Sequence, residues 1–346
     1  MKAYNYNMGA CVGVTDRYPT CVGVEIEWEQ YHPLEGHQME YWNITHDGSL
    51  RDSGVEFVST PLTPDSVRYA FAEMMGHHGT SFTVASTDRC GVHVHVNVLG
   101  LTYGQFLSLC VLYAGAEPGF MMVAGEQRND NVFCIPWYHT PDQLHSLADH
   151  HALARRSPYL MPRLRSNAPR DFGRPNWNKY QALNLLPMFD QGTIEFRMAP
   201  TWELPRIEVW TNTVLGLRDL AEQFPVPEEA AEFLLVEGAE GVWERIGLAV
   251  MGRPPYLDEA LDVALTLAGE EPMDWRDLSW EVPESPVFIP PGERRKVRPL
   301  PAQVGPWARA NLDIAALRMR EEMEMREVDE YPEDEEYHED EDEEDY

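Results

Sequence analysis

The chain has 346 residues, 43% hydrophobic and 11% aromatic, enough for one large or two ordinary domains with a sizeable core. Its net charge is −31, and from Glu321 onward 17 Asp or Glu face a single Arg, which leaves −15 on the first 320 residues. An acidic body lacks the positive charge that displaces counterions from nucleic acid or holds an anionic membrane surface, so the composition argues against both partners.

Five cysteines (Cys11, Cys21, Cys90, Cys110 and Cys134) are scattered without a CxxC pair, which predicts free thiols in a reducing compartment. The opening MKAYNYNMGACVGV lacks the apolar core of a signal peptide. No apolar run is expected to approach the roughly 20 residues that span a bilayer. A soluble cytoplasmic protein is the expectation.

In chain order, VGVEIEWE at residues 22–29 alternates strictly. Val22, Val24, Ile26 and Trp28 share one face of a strand, and Glu25, Glu27 and Glu29 share the other. Asp47 follows in the turn-forming HDGS, and in GVEFVSTPL Val55 and Phe57 alternate with Glu56. Thr63-Pro64 reads as an N-cap with Pro at the first helical position, and Val67, Phe71, Met74 and Met75 fit one face of the helix that follows. CGVHVHVNV sets four valines against His93, His95 and Asn97. A second helix follows Thr102, with Phe106, Leu109, Cys110 and Tyr113 at helical spacing, and Pro118 is expected to interrupt or kink it. TIEFRMA alternates Ile194, Phe196 and Met198 with Glu195 and Arg197. A third helix runs from about Leu204 to Phe224, with Ile207, Trp210, Val214, Leu217 and Ala221 on one stripe.

These two-faced strands predict an α+β fold: an antiparallel sheet with one polar face and helices packed on the other. Residues 1–225 mix these strands with amphipathic helices and are expected to form one domain. The texture changes at Pro225, so residues 226–310 read as a helical and then Pro-rich extension, in which DEALDVALTLAG is a helix capped by Gly269. Seven prolines between Pro283 and Pro306 predict an extended arm, which carries the basic cluster RRKVR, Arg294 to Arg298. A helix over 311–327 follows, and residues 328–346 are too charged to bury a core and are expected to be disordered.

The polar strand faces carry the chemistry. A merely solvated face mixes Lys, Thr and Ser with Glu, whereas these faces hold Glu25, Glu27, Glu56, His93, His95, Asn97, Glu195 and Arg197, and no Lys. Carboxylates crowded on one face call for compensating charge. Oxygen ligands with an occasional imidazole suit Mg²⁺ or Mn²⁺. A His-x-His pair also occurs in zinc sites, which more often bring three His or closely spaced Cys. Without a metal, neutralising Glu25 or Glu27 is expected to stabilise the chain by relieving repulsion. There is no GxxxxGK[ST] loop, no GxGxxG after a strand and no GxSxG elbow, so metals, Arg and the sheet itself would have to hold any nucleotide.

Taken in order, GVEIE, HDGSL with GVEFVSTPL, CGVHVHVN, and YQALNL with GTIEFRMAPTWE resemble the phage and bacterial amidoligase family over about residues 20–225. The resemblance implies a glutamine synthetase-like fold, similar also to glutamate–cysteine ligase, and an ATP-dependent carboxylate–amine ligase that forms an amide through an acyl phosphate with Mg²⁺ or Mn²⁺. By motif, Glu25, Glu27, Glu56, His93 and Glu195 would be metal ligands, and Arg197 and Glu56 the catalytic candidates, with Arg197 facing the transferring phosphoryl group. His95, Arg197, Asn97 and Arg128 would lie toward ATP, with Asn184 also placed to meet substrate or phosphate. Glu29, Asp47, Lys179 and Tyr180 are weaker candidates. Small-molecule or peptide carboxylates and amines would be the substrates, for which the Arg-rich loop between Arg155 and Arg174 is a candidate contact. A phosphotransferase similar to guanidino kinases and a non-enzymatic acidic interaction protein are the alternatives.

Overall fold

The computed structural model describes residues 5, 7–12, 21–29, 39–46, 50–51, 54–78, 87, 89–129, 131–140, 147–148 and 179–269. Asp47, the Arg-rich stretch, the Pro-rich stretch, the helix expected over 311–327 and the acidic residues 328–346 lie outside them.

The described residues form a mixed fold of helices and one antiparallel sheet. Its strands are β1 (Val22–Trp28), β2 (Trp42–His46), β3 (Val55–Ser59), β4 (Gly91–Asn97), β5 (Leu183–Asn184) and β6 (Thr193–Pro200), in the spatial order β2, β3, β1, β4, β6, β5. The helices are α1 (Met8–Val12), α2 (Pro64–His78), α3 (Tyr103–Ala124), α4 (Glu126–Asn129), α5 (Leu204–Ala221), α6 (Pro227–Ile246) and α7 (Leu257–Ala268). The apolar positions read from alternation are all buried: Val22, Val24, Ile26 and Trp28 on β1, Val92, Val94 and Val96 on β4, and Ile194, Phe196 and Met198 on β6. Helices α3 and α5 lie against β4 and β6, and α2 packs on α5.

Local signals hold at several helix ends. Thr63 Oγ1 accepts from the Ser66 amide and Ser66 Oγ from the Thr63 amide at the start of α2. Thr102 and Gln105 form a reciprocal capping box at α3. Gly269 caps α7 in the left-handed conformation at φ 80°.

Of the expected interruption or kink at Pro118, the interruption does not occur; α3 runs through it for 22 residues. A proline inside a helix costs about 3 kcal/mol, but almost every residue of α3 is buried. Each large side chain so buried contributes about 1.5–3 kcal/mol, so a few of them offset the lost hydrogen bond. The same helix corrects the expectation that no apolar run is long enough to span a bilayer. By length and composition α3 would, and 89% of its most apolar 18-residue window is buried inside the protein. Gly, Ser and Glu117 interrupt the run in sequence, but they are covered on all sides.

Residues 226–269 contribute to the core. Helices α6 and α7 pack on the side of α3 away from the sheet, and Ala231, Leu234, Val242, Leu261 and Ala264 join the same hydrophobic cluster as the strands. The contact is tight at Gly119, where an added Cβ would lie 2.4 Å from the Trp243 ring, while Trp243 Nε1 donates to the Ala116 carbonyl at 2.9 Å.

Glu117 is the charged exception in α3. It is fully buried and accepts from the Tyr113 hydroxyl at 2.6 Å, from the Trp137 amide at 2.8 and 2.9 Å, and from the Tyr138 amide at 3.3 Å. Burial pushes its carboxyl up to about 7 despite these donors.

Gly119→Ala is expected to lower stability by about 1–3 kcal/mol through overpacking against Trp243, as read from denaturant midpoints. Between pH 4.5 and about 7 the native state keeps the Glu117 proton that the unfolded chain has lost. This group's contribution therefore declines as pH rises through that window, by on the order of 3 kcal/mol, and levels off above it. Urea unfolding at several pH values should show that decline in the wild type relative to Glu117→Gln.

Candidate metal centre and cavity

Strand register, more than any single motif, assembles the polar face. Glu25 of β1 stands opposite His93 of β4, and Glu27 opposite Glu56 of β3. On the other side of β4, His95 faces Glu195 of β6, which in turn faces Asn184 of β5. Between Val92 and Val94 the β4–β6 pairing slips by one residue, so that Arg197 and Met198 together oppose His93. Bulges of this kind re-aim side chains, and this one lies where Arg197 enters the site.

Much of the resulting face is buried, as its lack of Lys suggested, with Glu25 and Glu56 half-buried. Glu27, His93, His95 and Glu195 are 6, 5, 8 and 4% exposed. His93 is the hub: its Nδ1 lies 3.2 Å from Glu25 Oε2 and 3.5 Å from Glu195 Oε1, and its Nε2 lies 3.8 Å from Glu27 Oε2. His95 Nε2 is 3.3 Å from Glu25 Oε1, and its Nδ1 is 3.2 Å from Thr193 Oγ1. Two groups of potential ligand atoms, each within 4.8 Å of one another, share His93: Glu25, His93 and Glu195, and Glu27, Glu56 and His93. All five residues expected as metal ligands are therefore brought together. Each group offers two carboxylates and one imidazole, a donor set that fits Mg²⁺ or Mn²⁺. Cys90 is in neither group; its buried thiol lies 3.6 Å from Thr87 Oγ1.

Burial opposes charge on Glu25, but the hydrogen bonds and charges of His93 and His95 outweigh it and hold the carboxyl well below the usual range. Burial likewise opposes charge on His95, and Glu25 and Glu195 overcome it to raise its pKa. Glu25 is thus favoured in its charged form by its neighbours. The expected stabilisation on neutralising it is corrected: Glu25→Gln would lose two histidine partners. Glu27 and Glu56 are the like charges that stand directly opposite each other in the strand register.

Other contacts hold the ligands in place. The Gly91 amide donates to Glu27 Oε2 at 2.8 Å, and Asn184 Nδ2 donates to Glu195 Oε2 at 2.7 Å. A Cβ at Gly91 would come within 3.1 Å of the Arg128 guanidinium and 3.3 Å of His93 Nε2, so it would press on both side chains. Arg197 donates to Glu195 through Nη1 and to the Phe133 carbonyl through Nε at 3.3 Å. Tyr180 stacks edge-on against Phe133, with the Lys179 ammonium 4.9 Å and the Arg197 guanidinium 5.9 Å from its ring centre.

These side chains border a cavity of about 230 Å³, lined by Glu25, Glu27, Glu56, Arg89, His93, Arg128, Phe133, Lys179, Tyr180 and Arg197. Five expected residues lie outside this lining: Glu195 and Asn184, which bond each other, and His95, Asn97 and Glu29. His95 sits behind Glu25, outside the lining. Asn97 ends β4, and its Oδ1 accepts from the Leu99 amide at 2.8 Å. Glu29 accepts from the Arg51 amide at 2.8 Å. Arg128 does line the cavity, while donating to the carbonyls of Met198, Cys90 and Arg197. Arg89 and Phe133 are additions. Arg89, a cation just before CGVHVHVN in an acidic chain, was a usable signal; Phe133 had none, since nothing local distinguishes it from a core aromatic.

No protein-family model matches the chain, and no curated protein matches it.

Addition of Mg²⁺ or Mn²⁺ is expected to raise the melting temperature, by about 2.7 kcal/mol of stabilisation at a hundredfold excess over Kd. Glu56→Gln should abolish that response. It should also leave the metal-free protein as stable or more stable by about 0.2–1 kcal/mol, because it removes the like charge opposite Glu27. Thermal scans with and without metal measure both effects.

Proposed function

We propose that the protein is an ATP-dependent carboxylate–amine ligase built on a glutamine synthetase-like sheet. The observation that carries this reading is the pair of carboxylate–imidazole groups sharing His93 at the wall of a cavity that also presents Arg89, Arg128, Lys179 and Arg197. Phosphoryl transfer asks for positioning and charge neutralisation more than for covalent help from the protein. Both elements are present: acidic residues able to hold cations, and basic residues facing the same space.

Glu25, Glu27, Glu56, His93 and Glu195 would hold the divalent cations. When bound, these would neutralise phosphate oxygens of ATP and bring its γ-phosphorus into reach. In the proposed reaction a substrate carboxylate oxygen attacks that phosphorus and ADP leaves. An amine then attacks the acyl carbon of the acyl phosphate, and inorganic phosphate leaves with the C–O bonding pair. Arg197, tied to Glu195 and to the Phe133 carbonyl, offers its remaining N–H groups to charge that develops on the transferring group. Asn184 and the Gly91 amide keep Glu195 and Glu27 oriented.

A screen of amino acids and polyamines for Mg²⁺–ATP-dependent phosphate release, with hydroxylamine as trap, tests this. A ligase yields a hydroxamate. A guanidino-kinase-like phosphotransferase yields a phosphorylated product and none, and absence of Mg²⁺–ATP binding at millimolar nucleotide would remove both readings in favour of a non-enzymatic protein. Arg197→Met should lower turnover about 100-fold or more without weakening Mn²⁺ binding, because it frees Glu195 from a competing cation, as measured by steady-state kinetics and calorimetry.

A further inference from the structure

We propose that Glu117 is a positioning residue for the cavity: its buried carboxyl group clamps the backbone of Trp137 and Tyr138, and through them the segment 131–140 that holds Arg197 and the Phe133–Tyr180 wall. The functional side of the proposal rests on the reading of this cavity as the phosphoryl-transfer centre.

The connections are continuous. Glu117 receives both amides at the start of the short 3₁₀ turn Trp137–His139. The Trp137 ring packs edge-on against Tyr113 at 5.1 Å, and its Nε1 donates to the Leu183 carbonyl on β5 at 2.9 Å. Two residues earlier, the Ile135 amide donates to the Tyr180 carbonyl at 2.7 Å, and the Ile135 carbonyl accepts from the Ala182 amide at 2.8 Å. The Ala182 carbonyl in turn accepts from the Arg197 amide at 2.8 Å. Phe133 supplies the carbonyl that receives Arg197 Nε, and the Cys134 thiol donates to the Arg128 carbonyl at 3.2 Å. One carboxyl group in α3 thus anchors the segment that touches Arg128 and Arg197, two of the three arginines of the cavity.

A carboxyl buried at a purely structural position is rare unless it satisfies specific donors. Here two of the three donors are backbone amides of a loop that lies outside the sheet and the long helices. Lifting that loop would expose Glu117 to water. The titratable groups beside it are Tyr113 on its own helix and Tyr138 and Cys134 from the segment, and Arg128 and Arg197 approach Cys134. Because burial favours the protonated carboxyl, lifting the loop is linked to proton loss, so the clamp weakens as pH rises toward about 7 and changes little above it.

The full chain, Glu117→Gln and Tyr113→Phe are compared by hydrogen exchange of segment 131–140, corrected for intrinsic rates, and by Mg²⁺–ATP titration, across roughly pH 5 to 8. In the wild type, protection should fall several-fold with rising pH and level off near 7. In Glu117→Gln it should be flat, and in Tyr113→Phe, which loses a donor that favours the carboxylate, the fall should extend to higher pH. The ratio of wild-type to Glu117→Gln affinity for Mg²⁺–ATP should follow the same curve, with Mn²⁺ binding equal in all three. Wild-type protection that is independent of pH, or that follows the same curve in Glu117→Gln, overturns the proposal. If Mg²⁺–ATP binds nowhere in the range while protection still follows Glu117, the ligase reading fails and the clamp stands.

Discussion

Four carboxylates share one face of the sheet around His93, and burial makes their mutual repulsion the constraint on which the rest of the site depends. In water such a face would be unremarkable. With Glu27 and Glu195 almost fully covered, each charge needs a partner. The protein supplies part of the answer itself through His93, His95, Arg197, Asn184 and the Gly91 amide. Arg89, Arg128, Lys179 and Arg197 line the same cavity as Glu25, Glu27 and Glu56, and Arg197 pairs with Glu195. The two carboxylate–imidazole groups that share His93 are where a divalent ion could be held.

Holding like charges together requires a rigid support, and the other face of the sheet provides it. Every second residue of β1, β4 and β6 enters one core, which α3 and α5 cover directly and α6 and α7 cover from behind. Close packing of this kind resists the small strand movements that would let the carboxylates spread apart. It also explains why α3 tolerates Pro118 and a buried glutamate. Its surroundings, and not its intrinsic helix propensity, decide its conformation.

Much of the site was legible because strand geometry is simple. Period-two alternation placed Glu25, Glu27, Glu56, His93, Glu195 and Arg197 on polar faces without reference to any neighbour. The alternation could not say which of these side chains meet, since pairing register depends on partners tens of residues away. Glu29 and Asn97 carry the same alternation as their neighbours, yet one is tied to the Arg51 amide and the other to the Leu99 amide. Phe133 and Arg89 reach the cavity from segments with no periodic pattern, and only the packing of the chain brings them there.

The sequence by itself determined which strand residues face the core and which lie on the polar face, where helices α2, α3, α5 and α7 begin or end, and that the body is acidic. These properties are local, set by side-chain periodicity, capping and composition. The tertiary structure alone decided how deeply the polar face is buried, that His93 joins two carboxylate groups, that a bulge aims Arg197 at the cavity and that the helices beyond Pro225 complete the core. Each of these depends on contacts between distant segments, whose geometry is fixed only when the whole core closes.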